Sequence, residues 1–146
     1  FDLDDALAFE GETGPYLQYS VVRARNILAK LAERRGAEES DAAWLAAHVE
    51  LDGMSVDHVA NLWEIPLLLA RTDAVLRQAV DSLELASVAK HAYVLAQAFN
   101  SFYHRSPVAK EDDPGTRRVR AAVTRLYLDG MTHLLGLMGI EVPDRM

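Results

Sequence analysis

Gly14-Pro15-Tyr16-Leu17-Gln18-Tyr19-Ser20-Val21-Val22-Arg23-Ala24-Arg25-Asn26-Ile27-Leu28-Ala29-Lys30-Leu31-Ala32-Glu33-Arg34-Arg35-Gly36 reads as one amphipathic helix. Leu17, Val21, Ala24, Leu28 and Leu31 are spaced 4, 3, 4 and 3 residues apart. That spacing places them on a single stripe of a 3.6-residue period. Pro15 stands just inside the start, where a missing N–H costs nothing, and Gly36 supplies a C-terminal stop.

The same spacing recurs outward from this helix. In residues 84–105 it runs through Val88, Ala92, Leu95, Phe99 and Phe102. In residues 115–138 it runs less strictly through Val119, Val123, Leu126, Gly130, Leu134 and Leu137, with Gly139 as a C-cap and Pro143 as a stop. Between them, Asp41–Glu50 reads as a short helix capped by Ser40 or Asp41. Asp57–Leu69 reads as a helix broken or kinked at Pro66, and Thr72-Asp73 as the N-cap of a further helix to about Asp81. Gly11–Gly14, Asp52–Ser55 and Pro107–Gly115 read as loops. No stretch alternates with period two, so the expected fold is all-α, a bundle of five or six helices.

The chain has 146 residues, enough for one domain that buries roughly 70% of its unfolded surface. It has no cysteine, which excludes thiolate metal sites, disulfides and cysteine nucleophiles and fits a reducing compartment. The apolar run from Ile65 to Ala70 is far too short to span a membrane. Phe1 rather than Met opens the chain, from which we expect a cut within a longer polypeptide.

Net charge is −7, which by itself argues against a general nucleic-acid binder. The basic residues are segregated, however. Arg23, Arg25, Lys30, Arg34 and Arg35 fall in residues 14–35, and Arg105, Lys110, Arg117, Arg118, Arg120 and Arg125 in residues 103–125. Eleven of the fifteen basic residues thus occupy two segments, which we expect to converge on one positive surface. Solvated helix faces are the plainer explanation of the same pattern.

Catalytic signatures are missing. His48, His58, His91, His104 and His133 form no metal-binding helical pair, so no metal site is expected. Gly11-Glu12-Thr13-Gly14 lacks the lysine of a phosphate loop, Glu10 and Glu12 are acids beside a turn, and no nucleophile elbow occurs. Tyr16, Tyr19 and Arg23, at i, i+3 and i+7, share one helix face beside the apolar stripe. Two rings with an arginine offer unpaired bases a stacking platform and a phosphate partner. On chemistry alone, amphipathic residues at the core edge are the favoured reading of the tyrosines.

Three segments resemble one family. Phe1-Asp2 through Gly11-Glu12-Thr13-Gly14-Pro15-Tyr16-Leu17-Gln18-Tyr19, followed by Arg23, is similar to the entry into the C-terminal anticodon-binding domain of arginyl-tRNA synthetases, the DALR type. Leu95-Ala96-Gln97-Ala98-Phe99-Asn100-Ser101-Phe102-Tyr103-His104 is a second match. Gly136-Leu137-Met138-Gly139-Ile140 through Val142-Pro143-Asp144-Arg145-Met146 is a third, in the same order. The poorest match is residues 36–60.

The resemblance implies a single anticodon-binding domain over 1–146, with 1–13 as an entry segment and 14–146 as the helical bundle. It implies that Tyr16, Tyr19, Arg23, Tyr103 and Met146 meet the anticodon loop of an arginine-accepting tRNA. Gln18, Arg25, Asn100, His104 and Arg105 are further candidates for RNA contact. The family's ATP- and Mg2+-dependent arginylation belongs to an upstream catalytic domain whose His-Ile-Gly-His-like and Lys-Met-Ser-Lys-like signatures do not occur here. The implied protein is cytoplasmic, monomeric, not membrane-bound and, in this chain alone, not catalytic. Two alternatives remain at this point: a freestanding DALR-type module that binds tRNA or protein without catalysis, and a bundle that packs on other proteins through Trp44 and Trp63.

Overall fold

The computed structural model describes residues 13–51 and 56–146, with the side chains of 56–61 outside the description. The Phe1–Glu12 part of the entry segment, the Asp52–Ser55 loop and the His58 side chain lie outside the described residues. Among the described residues five α-helices follow one another: α1 Gly14–Arg35, α2 Ala42–His48, α3 Val56–Ser82, α4 Ala86–Arg105 and α5 Pro114–Leu137. A 3₁₀ turn, Ala37–Ser40, joins α1 to α2. Among the described residues there is no strand.

Local chemistry sets the ends. The Thr13 hydroxyl accepts from the Tyr16 N–H, the Asp41 carboxylate from the Trp44 N–H at 2.8 Å, and the Asp113 carboxylate from the Thr116 N–H at 2.8 Å. The bond to Thr116 holds the Asp113 carboxyl below its usual range. Gly36 closes α1 with its N–H on the Ala32 carbonyl at a φ of 115°, a conformation that favours glycine.

The α1 and α4 stripes are both buried in full. The α5 stripe is corrected by the structure, because Leu126 and Leu137 are exposed while Tyr127, Met131 and Leu135 are buried. The reason is position: α5 packs against α1, α2, α3, α4 and the 3₁₀ turn, so a wide arc is covered rather than one seam. At the centre the Tyr127 ring stacks on Phe99, with centroids 4.0 Å apart. Its hydroxyl lies 2.5 Å from the Ser20 hydroxyl.

A second correction concerns the middle of the chain. The helices expected on either side of Pro66 and Thr72 are one continuous α3, which brings the number among the described residues to five. A proline there cannot donate to the carbonyl four residues back and costs about 3 kcal/mol. Burial of Leu62 and Ile65 before it and Ala79 after it favours continuity. Thr72 therefore caps nothing; its hydroxyl meets His91 Nε2 at 3.0 Å, tying α3 to α4.

After α5, Gly139 takes a φ of 73° and turns the chain back. The Ile140 N–H bonds the Leu135 carbonyl at 2.9 Å, and Ile140 and Val142 pack on the core. The last residues then run beside α1.

Candidate nucleic-acid interface

A groove of about 810 Å3 opens where α1, the end of α4, the loop after α4 and the C-terminal tail meet. From α1 it takes Tyr19, Arg23, Lys30 and Arg34; from α4, Tyr103 and His104; from the loop, Lys110; from the tail, Met146. Spacings of 4, 7 and 4 along α1 place its four residues on one face.

Arg23 is the centre of the groove's polar network. Its guanidinium donates to Asn100 Oδ1 at 2.8 Å and to the Tyr19 hydroxyl at 2.9 Å. Its carbon stands 4.6 Å from the Tyr19 ring centroid and 5.8 Å from that of Tyr103. Those distances place it in cation–π range of both rings. Asn100 Nδ2 in turn donates to the Tyr16 hydroxyl at 2.8 Å, and the Tyr16 ring packs on Tyr93 at 5.5 Å. Tyr16 and Asn100 therefore stand behind the groove and orient Arg23, while Tyr19, Arg23 and Tyr103 face it.

The loop wall is held from beneath by buried arginines. Arg117 pairs with Glu39 at 2.7 Å and donates to the Glu111 and Asp112 carbonyls, each at 3.1 Å. Arg120 pairs with Glu111 and donates to the Pro107 carbonyl at 3.0 Å. The Arg117 bond holds the Glu39 carboxyl below its usual range, and Glu39 raises Arg117 in turn.

This arrangement corrects the expectation of one surface built from both basic segments. Arg23, Lys30, Arg34 and Lys110 do converge. Arg117 and Arg120 do not, because they are 5% and 7% exposed and spent on the loop. Arg35 and Arg125 pair with Asp112 and Asp129, and Arg118 lies over the Trp44 ring at 5.4 Å.

The further candidates divide. His104 lines the groove, and Asn100 supports it. Gln18 and Arg25 turn to the tail, bonding the Glu141 and Pro143 carbonyls. Arg105 bonds Ser101 on its own helix. Lys30, Arg34 and Lys110 enter the sequence reading only as members of the two basic segments, not as individual candidates for RNA contact. The α1 pair could have been found by continuing the Tyr19–Arg23 face two turns onward, but Lys110 depends on the path of a loop.

Trp44 and Trp63 do not form one patch. Trp44 stacks on His48 at 4.2 Å, whereas the half-exposed Trp63 lines a separate apolar groove of about 440 Å3 with Leu45, Val49, Pro66 and Leu126. Two ring faces, a guanidinium within cation–π range of both, and Lys30, Arg34 and Lys110 against the single acidic side chain of Glu33 suit bases and phosphates; the apolar groove does not. Among the described residues no group of three His, Asp or Glu could hold a metal, and no helix is long and apolar enough to cross a membrane.

The model of the DALR anticodon binding domain matches residues 17–146. The chain belongs to that family. As a DALR domain it is similar throughout its length to arginine–tRNA ligases. That of Latilactobacillus sakei is 33% identical over 146 residues, covering all of this chain and 23% of the relative. That of Maricaulis maris is 34% identical, with 22% of its length covered. That of Clostridium perfringens is 33% identical over 150 residues, with 24% covered. The DALR domain thus spans about a quarter of the length of the curated relatives it matches.

Proposed function

We propose that the groove binds the anticodon loop of an arginine-accepting tRNA, as the RNA-reading part of an arginine–tRNA ligase. The observation that carries this reading is the Arg23 guanidinium held between Tyr19 and Tyr103, with Lys30, Arg34 and Lys110 around it. The rings offer faces on which unpaired bases stack; the cations neutralise the backbone that carries those bases. Tyr16 and Asn100 hold the arginine fork in place and do not themselves need to touch RNA. Met146 closes the open side with a flexible thioether that packs on a ring or a base.

In this reading the chain alone carries no aminoacylation chemistry. ATP, Mg2+ and arginine are handled by a catalytic domain of the same polypeptide, in the cytoplasm, with the chain behaving as a monomer. Size-exclusion chromatography tests the monomer. Arginine-dependent exchange of pyrophosphate into ATP by this chain would refute the non-catalytic assignment.

The RNA assignment is tested with a fluorescent hairpin carrying the anticodon stem and loop of an arginine tRNA. Anisotropy should show binding that weakens with salt, by about 0.7 in the log–log slope for each single-strand phosphate neutralised. It should also weaken when the loop sequence is scrambled. Equal affinity for both loops, or binding insensitive to salt, would defeat the reading.

A further inference from the structure

Besides the packing of Ile140 and Val142 on the core, the tail that ends in Met146 is held beside α1 by polar contacts. Gln18 Nε2 donates to the Glu141 carbonyl at 2.7 Å. Arg25 Nη1 donates to the Pro143 carbonyl at 3.1 Å and faces the Asp144 carboxylate at 3.7 Å. The two side chains stand seven residues apart on α1, about 10 Å along its axis at 1.5 Å per residue. Residues 141 to 143–144, extended at about 3.3–3.6 Å per residue, cover nearly the same length. The tail is therefore laid parallel to α1, clasped twice, and delivered to the groove, where Met146 stands with Tyr19, Arg23 and Tyr103. Both hydrogen bonds go to main-chain carbonyls, one of them on Pro143, whose ring fixes its backbone φ.

We infer that Gln18 and Arg25 are positioning residues for RNA recognition, a clasp that turns the C-terminal tail into the fourth wall of the groove. This inference rests on the anticodon-loop reading of that groove. It gives Arg25 a role different from the one its charge suggests: its guanidinium serves the tail and does not line the groove. Releasing the clasp lets Met146 leave, so the groove is complete in only a fraction of molecules. Apparent affinity falls in proportion to that fraction.

The experiment uses the 146-residue chain and its Arg25→Ala, Gln18→Ala, Met146→Ala and Arg25→Ala/Met146→Ala variants. Two readouts are taken: anisotropy with the arginine anticodon hairpin across a salt series, and the methyl resonances of 13C-labelled methionines. Arg25→Ala should move and sharpen the Met146 methyl signal while leaving that of buried Met131 in place. It should weaken the hairpin by about threefold to tenfold, in the ratio of clasped to released tail. The salt slope should stay unchanged, whereas a lost phosphate contact would lower it by about 0.7. The double variant should bind no more weakly than the weaker single one, because both substitutions remove the same wall. Gln18→Ala, at an exposed bond, should show the same pattern in a smaller amount and keeps the test open if Arg25→Ala melts early.

A Met146 methyl unmoved by Arg25→Ala and by Gln18→Ala overturns the clasp. A moved methyl with unchanged affinity, additive losses in the double variant, or a lowered salt slope overturns the wall and makes Arg25 an ordinary contact or a bystander. Failure of the unsubstituted chain to bind the hairpin sinks the anticodon-loop reading and the wall with it, while the methyl signal still decides the clasp.

Discussion

The buried pair of hydroxyls at the centre of the bundle makes an asymmetric prediction. Ser20 and Tyr127 are both fully buried, and their oxygens lie 2.5 Å apart. The Ser20 hydroxyl donates its one proton to the Leu17 carbonyl at 2.7 Å, so the Tyr127 phenol must donate to Ser20. Burial drives the phenol well above its ordinary value of 10.0, which keeps it protonated as that role requires. Tyr127→Phe removes one hydrogen bond and leaves Ser20 still bonded to Leu17, a net loss of about 1 kcal/mol. Ser20→Ala leaves a buried phenol with no acceptor, a loss of about 1–3 kcal/mol, partly offset by roughly 0.5 kcal/mol of better helix propensity. Near this chain length each kcal/mol moves Tm by about 2–4 °C. Ser20→Ala should therefore melt lower than Tyr127→Phe, and Tyr127→Phe should cost nothing, or restore stability, when added to Ser20→Ala. Urea unfolding of the four proteins of this cycle supplies the numbers. The donor assignment is refuted if Tyr127→Phe is the more damaging single change, or if it lowers the Ser20→Ala protein by its full single-variant amount.

Tyr103→Ala should weaken the anticodon hairpin by about 1–3 kcal/mol, or about 5- to 150-fold, measured well below the melt of the variant because Tyr103 also packs on the core; equal binding by anisotropy would remove Tyr103 from the interface. Glu39→Ala strands the buried Arg117 guanidinium and should cost on the order of 3 kcal/mol in urea, far more than Asp73→Ala at the exposed Arg77 pair. Acidification should weaken the fold in two stages. Burial, then the nearby Arg71 charge, depresses His91 in the folded chain, so stability present above its ordinary value of 6.5 is lost as pH falls toward the lower folded value. Glu39, depressed by Arg117, follows below 4.5, and His91→Gln should flatten only the first stage of a urea-midpoint series from pH 8 to 4 (buffer pH values on the order of the range where carboxylates and histidine titrate).

Sequence alone determined what is local. The stripes of α1 and α4 follow from side-chain spacing, and the starts and stops at Pro15, Asp41, Gly36 and Gly139 follow from the local backbone chemistry of those residues. Tyr19, Arg23 and Tyr103 were legible because two are neighbours on one helix face and the third lies in a segment with a family resemblance. Tertiary structure decided whatever depends on partners distant in the chain. Pro66 stays inside one helix because residues on both sides of it are buried. Leu126 faces solvent while Tyr127 fills the core, because α5 is surrounded by four other helices and a local period cannot say which flanks are covered. Charge shows least of all in sequence: Arg23, Arg25 and Arg117 are the same residue type in two basic segments. One stands between aromatic rings, one holds a tail 118 residues away and one is buried on Glu39 78 residues away. A guanidinium goes where a carbonyl, carboxylate or ring is brought to meet it, and only the packed helices bring them.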